Sequence, residues 1–312
     1  MRQVIGFSRA TFHRLLPFLT SRILSAALVC LLSCLSPVQA DPLRIHIVLS
    51  EHGGSYQEFG DALRNELRTQ PYQLSIDADD GNSGDADLVV AVGMRSAAAY
   101  SSSDKPVLNV LVPRAGYDKL AKPVVTHLTS AIYLDQPIER QLSLLVAALP
   151  KTKNIGVLYT AQPFSLAGLR RAVTEKRLQL HERIVSKERT LFDALDEVLE
   201  ESEVLLVLPD TDVYNAGTIR NILLTSYRKQ VPLIGISQAY VKAGALCAIY
   251  STPGQIAAQT AEAIMQFADS GKLPPNQYPK EFEVSVNTQV ARSLDLSIKD
   301  AEKLRNEVRR AP

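Results

Sequence analysis

The chain has 312 residues, with 34 basic and 33 acidic side chains, and 46% of its residues are hydrophobic. This length and apolar content are enough for one large core or for two lobes of roughly 130 residues each. The nearly balanced charge gives no support for nucleic acid or another broad polyanion as a partner. After the first forty residues the sequence has no apolar run of the roughly 18 residues that a membrane span requires.

The first forty residues have the composition of a secretory signal peptide. They contain four arginines and no acid, followed by an apolar stretch over 23–35 and by Val38-Gln39-Ala40. This order predicts cleavage after Ala40. Two alternatives stay open: Leu31-Leu32-Ser33-Cys34 resembles a lipobox, in which Cys34 would be lipidated, and the apolar stretch could be a membrane anchor, although an anchor needs about twenty apolar residues.

Removal of residues 1–40 takes away four basic side chains and leaves 30 basic and 33 acidic ones, a formal net charge of −3. It also leaves Cys247 as the single cysteine, so no disulfide can form within one molecule. Cys247 lies in an apolar segment, which predicts a small core residue.

The first predicted lobe opens with a strand over 44–50 and a glycine-containing loop over 51–56. A helix follows, with Phe59, Leu63 and Leu67 on one face. Strand, glycine loop and helix in this order would suit a phosphate or carboxylate at the helix N-terminus; a turn that simply needs glycine is the alternative. Neither GxGxxG nor GxxxxGK[ST] is present, so the loop is not a nucleotide fingerprint.

Three more strands are predicted over 72–78, 88–92 and 106–112, with an acidic, turn-rich linker over 79–85. The third strand ends in Gly93-Met94-Arg95-Ser96. Arg95 could pair with a ligand carboxylate or lie in solvent, and the sequence leaves both open. The linker lacks the spacing and the terminal glutamate of a calcium loop.

The second predicted lobe consists of repeated βα units. The first crossing between lobes is expected over 126–133, followed by a helix over 138–149 and a strand over 154–159. The loop after this strand contains Phe164 and Ser165, and Ser165 is a candidate helix cap. A strand over 178–185 and a helix over 191–201 repeat the pattern, as in a doubly wound domain.

Residues 205–255 give the clearest pattern. An apolar strand over 205–208 ends at Pro209-Asp210-Thr211-Asp212, and a helix with apolar spacing over 217–230 leads to a strand over 233–236. Two buried strands joined by a crossover helix form a parallel unit whose polar loop lies at the carboxyl end of the first strand. Open α/β sheets bind ligands at that edge.

This region resembles a known family. The features that match are the Pro-Asp-Thr-Asp loop, the VPLIGIS strand, the AYVKAGAL segment and the STPGQIAAQTAEAIMQFADSGKLP helix. They resemble the second lobe of the substrate-binding proteins of ABC transporters, in the branch with a type-1, ribose-binding-protein-like fold and small, amino-acid-like ligands. The resemblance covers about 128–298 well and is weaker before that.

The resemblance implies an α/β protein with two doubly wound, parallel-sheet lobes joined by a hinge. Lobe 1 is expected over 41–131 and 253–283, and lobe 2 over 132–252 and 284–298, with a charged C-terminal tail over 299–312. The chain departs from the family by lacking a helix between its second and third strands. It also has Pro113-Arg114-Ala115-Gly116 where many relatives have Asp-Pro.

A cleft between two lobes would bury a small ligand and orient it through polar loop residues. Asp210 or Asp212 would accept hydrogen bonds from a ligand ammonium. Apolar walls would come from Tyr159, Phe164 and Tyr240. Donors to a ligand carboxylate would be Ser55, residues 93–96 and Ser165. The predicted ligand-binding residues are Glu51, Ser55, Gly93, Arg95, Ser96, Tyr159, Phe164, Ser165, Asp210, Thr211, Asp212 and Tyr240.

We expect no catalytic residues, cofactor or metal site, because no histidine has metal-ligand spacing with another histidine or a cysteine and no GxSxG elbow occurs. The resulting hypothesis is a monomeric periplasmic solute-binding protein that delivers a small-molecule ligand to an ABC permease. Two alternatives remain: a sensory or scaffold subunit of a membrane signalling system, and an envelope hydrolase or lyase that uses Asp210 and Asp212.

Overall fold

The computed structural model describes residues 41–78, 84–120, 128–160 and 166–311. Its first sheet has five parallel strands in the order β2-β1-β3-β4-β5. These strands are β1 (Arg44–Leu49), β2 (Gln73–Asp77), β3 (Leu88–Val92), β4 (Val107–Val112) and β5 (Thr129–Tyr133). The inner strands β3 and β4 are buried along their whole length, whereas the edge strand β2 alternates between exposed and half-buried positions. Continuous apolar runs therefore mark the strands that are covered on both faces.

The second sheet has six strands in the order β11-β10-β9-β8-β6-β7. They are β6 (Asn154–Thr160), β7 (Gln179–Val185), β8 (Val204–Leu206), β9 (Leu233–Gly235), β10 (Cys247–Tyr250) and β11 (Glu283–Val286). Only the pairing of β11 with β10 is antiparallel within this sheet. Cys247 is fully buried in β10, and this burial raises the pKa of its thiol to about 12.

Helices cover both faces of the second sheet. In chain order the helices are α1 (Gly54–Glu66), α2 (Met94–Ala99), α3 (Arg114–Leu120), α4 (Ile138–Ala148), α5 (Leu166–Glu175), α6 (Leu191–Glu201), α7 (Ile219–Arg228), α8 (Gln238–Ala243), α9 (Pro253–Ser270), α10 (Thr288–Ser293) and α11 (Ala301–Arg310). Alternate strand residues separate two cores: Val157 packs with α4 and α5, while Leu158 packs with α6 and α7. Side chains alternate across a strand, so one strand supplies both cores. The predicted α/β class with two parallel-sheet lobes is confirmed.

The chain passes between the two sheets three times, at 134–137, 251–252 and 279–282. After the second crossing α9 packs against α1 in the core of the first lobe, with Ile256, Ala257 and Ile264 buried. A capping box of Thr252 and Gln255 starts this helix, and Gly271 in the left-handed conformation ends it. The described residues from Leu43 onward form one compact unit.

The segment expected as a charged tail forms the helix α11, which packs against α4. Leu304 is 0% exposed and Val308 is 6% exposed, and both belong to the core of the second lobe. Two apolar residues four positions apart lie on one helix face, even among many charges. The sequence boundaries assigned to the lobes and tail remain a prediction.

Candidate functional site

A cavity of about 770 Å³ lies between the two lobes. Its walls come from the loops that follow β1, β4 and β5 in the first sheet and β8, β9 and β10 in the second. The carboxyl ends of parallel strands therefore face each other across the cavity, which is where open α/β sheets hold their ligands. We call it the interlobe cavity.

On the first-lobe side, Glu51, Ser55 and Tyr56 line the interlobe cavity. The ring of Tyr56 lies close over Gly93, where an added Cβ would be 2.8 Å from Tyr56 Cζ and 2.6 Å from Ser50 Oγ. Gly93 also has a φ of +85°, a conformation that favours glycine. Burial raises the pKa of Tyr56, and the nearby carboxylate of Glu51 adds to this shift. Gly93 therefore packs against Tyr56 and does not itself line the interlobe cavity.

On the second-lobe side, Pro209, Asp210, Thr211 and Tyr240 line the interlobe cavity. Gly235 allows Tyr240 to lie close to the end of β9, because an added Cβ there would be 2.5 Å from Tyr240 Cβ. Glycine at the end of β9 thus positions an aromatic wall residue.

The carboxylate of Asp210 is occupied by hydrogen bonds within its own lobe. One oxygen accepts from Thr160 N at 2.8 Å and from Thr160 Oγ1 at 2.9 Å. The other accepts from Asp212 N at 3.0 Å and from Val213 N at 3.3 Å. Two carboxylate oxygens offer about four acceptor positions, and these four donors fill them. Asp210 therefore connects the loop after β8, which we call the β8 loop, to the end of β6 by hydrogen bonds.

A second cavity of about 350 Å³ shares Pro113, Pro209, Asp210 and Thr211 with the interlobe cavity. Tyr159 and Asp212 lie in its wall, not in that of the larger cavity. The two cavities therefore adjoin along the β8 loop.

A network of side chains joins the three crossing segments, and we call it the hinge network. Gln136 Nε2 donates to Ser251 Oγ at 2.8 Å, and Ser251 Oγ donates to Glu281 O at 2.5 Å. Arg140 Nη1 donates to Gln136 Oε1 at 2.7 Å and to Pro279 O at 2.9 Å. Each of the three crossings thus contributes a partner, so the network connects all three segments.

Asp135, the residue before Gln136, is a buried carboxyl in the wall of the interlobe cavity. One of its oxygens accepts from Arg114 N. Burial raises the pKa of Asp135 to about 6, despite the hydrogen bond and the charge of Arg114, which both lower it. Desolvation disfavours the charged form of a carboxyl that lacks a close cation.

The predicted site residues fall into four groups. Glu51, Ser55, Asp210, Thr211 and Tyr240 line the interlobe cavity. Tyr159 and Asp212 line the adjoining cavity. Gly93, Arg95 and Ser96 line neither; Ser96 is buried and its backbone N–H donates to Ser50 Oγ, whereas Arg95 is exposed. Phe164 and Ser165 lie outside the described residues. The binding role of each residue stays a prediction.

Sequence reasoning missed Tyr56, Asp135, Gln136, Gln141 and Ser251, all of which line the interlobe cavity. Asp135 and Gln136 lie two and three residues after the end of the buried strand β5, the same strand-end signal that pointed to Asp210. The first crossing was predicted over 126–133, whereas residues 129–133 form β5 of the first sheet and the crossing follows at 134–137.

Within the described ranges, no three histidine, cysteine, aspartate or glutamate side chains are grouped so as to hold a metal ion. The described helices also include none that is long and apolar enough to cross a bilayer. Asp210 and Asp212, the pair on which a hydrolase was hypothesised, are linked through a backbone N–H and not carboxyl to carboxyl.

Comparison with known proteins agrees with this architecture. A tyrosine-binding protein of Clostridioides difficile (strain R20291) is 25% identical over 232 residues, which are 70% of this chain and 66% of that protein. The match therefore spans slightly less than two thirds of the relative.

Two solved structures share the fold. A ligand-free, open substrate-binding protein with adhesive properties from Clostridium difficile has a TM-score of 0.65 and 17% identity, covering 83% of this chain and 97% of that one. An ABC domain from Streptococcus pneumonia in complex with L-Trp has a TM-score of 0.60 and 16% identity, covering 85% and 98%. The similarity confirms the predicted type-1 architecture.

The family model for ABC transporter substrate binding proteins matches residues 82–307, which span most of both lobes and all three crossings. With two parallel-sheet lobes, a cavity between them and a match over more than half of its length, the chain belongs to the ABC transporter substrate binding protein family.

Proposed function

We propose that this protein captures a small, amino-acid-like molecule in the interlobe cavity and presents the closed form to an ABC permease. The observation that carries the proposal is the cavity itself, whose volume of about 770 Å³ lies within the range of about 300–1,000 Å³ for small-molecule sites. Both lobes supply polar and aromatic wall residues. A ligand held by both lobes favours the closed form.

Proteins of this family are binding proteins, not enzymes, and typically work outside the cytoplasm. We propose that a signal peptide over 1–40 directs export and that the protein acts as a monomer in the periplasm. Lipidation of Cys34, which would anchor the protein to a membrane, is the alternative to cleavage after Ala40. The net charge of −3 after cleavage supports a soluble carrier of small molecules over a partner of polyanions.

The first ligands to test are aromatic amino acids. One relative is named for tyrosine and one structural neighbour holds L-Trp. In this chain the interlobe cavity has Tyr56, Tyr214 and Tyr240 in its wall, and tyrosine rings offer apolar faces on which a ligand ring can pack. Glu51, Ser55 and Thr211 supply polar groups from the two lobes.

The proposal predicts a ligand-dependent thermal shift. The purified protein would be screened with L-tyrosine, L-tryptophan, other amino acids, sugars, purines and organic acids. A ligand at a hundred times its Kd stabilises the fold by about 2.7 kcal/mol, which raises Tm by several degrees. Calorimetric titration of each hit then gives its Kd.

A matched pair of variants locates the binding site. Tyr240→Ala should weaken binding of the hit because Tyr240 lines the interlobe cavity, whereas Tyr227→Ala should not, because Tyr227 is exposed on α7 away from it. Equal effects of the two changes would place the ligand elsewhere. A flat screen would overturn the transport proposal in favour of a sensory or scaffold subunit with the same fold.

A further inference from the structure

The wall of the interlobe cavity contains a buried carboxyl group without a cationic partner among the described residues. Asp135 is 9% exposed, and one of its oxygens accepts from the backbone N–H of Arg114. The guanidinium of Arg114 is directed elsewhere: Nη1 donates to Tyr278 Oη at 2.7 Å, and Nε lies 3.5 Å from a carboxylate oxygen of Asp118. A buried carboxylate is stable only when a cation or several donors compensate it.

A second acceptor in the same wall also lacks a donor. Gln141 is 4% exposed and lines the interlobe cavity, and its Nε2 donates to Gln136 O at 3.1 Å. Its carbonyl oxygen Oε1 is buried and has no hydrogen-bond partner in the described part of the chain. Leaving such an acceptor unpaired is unfavourable, because the group is desolvated without a hydrogen bond in return. A donor-rich group supplied from the cavity would remove this cost after a rotation of the amide.

Most of the charged side chains around the cavity are negative. Its described wall contains the carboxyl groups of Glu51, Glu58, Asp135 and Asp210 but one cationic side chain, the exposed Lys242. Asp210 is already saturated by backbone and hydroxyl donors, so it is not the carboxylate that a ligand would reach most easily. In the described part of the chain, Asp135 accepts only from backbone N–H groups, those of Arg114 and of Asp135 itself, and it makes no ion pair.

On the basis of the proposed function, we propose that Asp135, assisted by Gln141, forms a subsite for a protonated primary amine on the ligand. An ammonium group has three donors and one positive charge, which matches one buried carboxylate without an ion pair and one unpaired carbonyl. The subsite lies beside Gln136 of the hinge network, so binding of the amine would act where the lobes are joined.

The test compares probes that differ only in the amine or the carboxylate. L-tyrosine, tyramine and 3-(4-hydroxyphenyl)propionic acid would be titrated into the wild-type protein by calorimetry, with L-tryptophan, tryptamine and indole-3-propionic acid as the second set. Loss of a charge-assisted bond weakens binding about 10- to 100-fold. The two amino acids and the two amines should therefore bind, and the acids without an amine should bind at least about 10-fold more weakly.

Matched variants separate contact from general charge. Asp135→Asn should weaken tyramine binding by at least about 10-fold, because the amide keeps the shape but not the charge. Asp118→Asn removes a nearby carboxylate that does not line the cavity, and should change the affinity by less than about threefold.

The outcomes distinguish the two proposals. If the acids bind as tightly as the amino acids, or if Asp135→Asn binds tyramine normally, the amine subsite is wrong while the binding function stands. If none of the six probes binds but another class of compound does in the thermal screen, amine-bearing and amine-free members of that class are compared by calorimetry instead. Equal affinities of these members would show that the amine subsite is wrong. If no compound of the screen binds, the proposed function and the amine subsite are both wrong.

Discussion

At the scale of single residues, Asp135 shows how a binding group can oppose stability. Its pKa is raised from 3.8 to about 6 by burial, so the folded protein holds the proton more tightly than the unfolded chain does. The contribution to stability is therefore full below the unfolded pKa and is lost as the pH rises through about 6. At neutral pH the charged carboxylate destabilises the unliganded fold.

We expect Asp135→Asn to stabilise the unliganded protein at pH 8. Two pKa units correspond to at most about 3 kcal/mol, and the amide oxygen can still accept from Arg114 N. The gain should disappear below about pH 4, where wild-type Asp135 is protonated in both states. Urea unfolding at pH 8 and pH 4 measures both values.

The control for this change is Asp118→Asn, which removes a half-exposed carboxylate near the same arginine. It should give no comparable gain at pH 8, because exposed ion pairs contribute little. An Asp135→Asn protein that is no more stable than wild type at pH 8 would mean that the buried carboxylate is already compensated.

At the scale of elements, α11 is part of the second lobe and not an appendage. Its charged residues form surface pairs such as Arg305 with Glu283, at 3.2 Å, while Leu304 and Val308 pack with α4 in the core. Asp300 caps the helix by accepting from Lys303 N at 2.8 Å. A capped, amphipathic helix at a chain end is stabilised mainly by its apolar face.

Truncation of that face should destabilise the whole protein. Leu304→Ala removes a fully buried side chain, and such changes cost about 2–5 kcal/mol. Leu224→Ala, on the exposed side of α7 where Leu224 is 45% exposed, should cost less than about 0.5 kcal/mol. Urea unfolding of the two variants is the measurement, and equal losses would show that α11 is not packed in solution.

At the scale of the whole molecule, each lobe has its own core. Three crossing segments join the lobes, and the interlobe cavity lies between them. The hinge network connects these crossings through Gln136, Ser251 and Glu281. Because each lobe is packed within itself, a ligand that contacts both lobes can change their relative position without disturbing either core.

This arrangement predicts that ligand binding makes the molecule more compact. Small-angle scattering with and without saturating L-tyrosine should show a smaller radius of gyration in the bound state. Asp135→Asn at the same concentration serves as the weak-binding control. A radius that stays unchanged while calorimetry shows binding would exclude hinge closure as the response to this ligand.

The amino-acid sequence determined the order of strands and helices over most of the chain. Apolar runs such as that of β3 and the helical spacing of α7 are local properties, because burial on both faces or on one stripe dictates which residues a segment can carry. The polar residues after β1 and β8 likewise indicated two of the loops that line the interlobe cavity, whereas Gly93, Arg95 and Ser96 do not line it.

Other features were decided by the tertiary structure. Asp210 was predicted as an acceptor for a ligand ammonium, but its oxygens are filled by donors that include Thr160, fifty positions away in the sequence. Asp135 was not predicted as a site residue, and its lack of an ion pair depends on where the guanidinium of Arg114 is directed. Spacing fixes which face a side chain lies on, but its partners come from segments distant in sequence, so only the packed structure determines which polar groups are satisfied and which remain for a ligand.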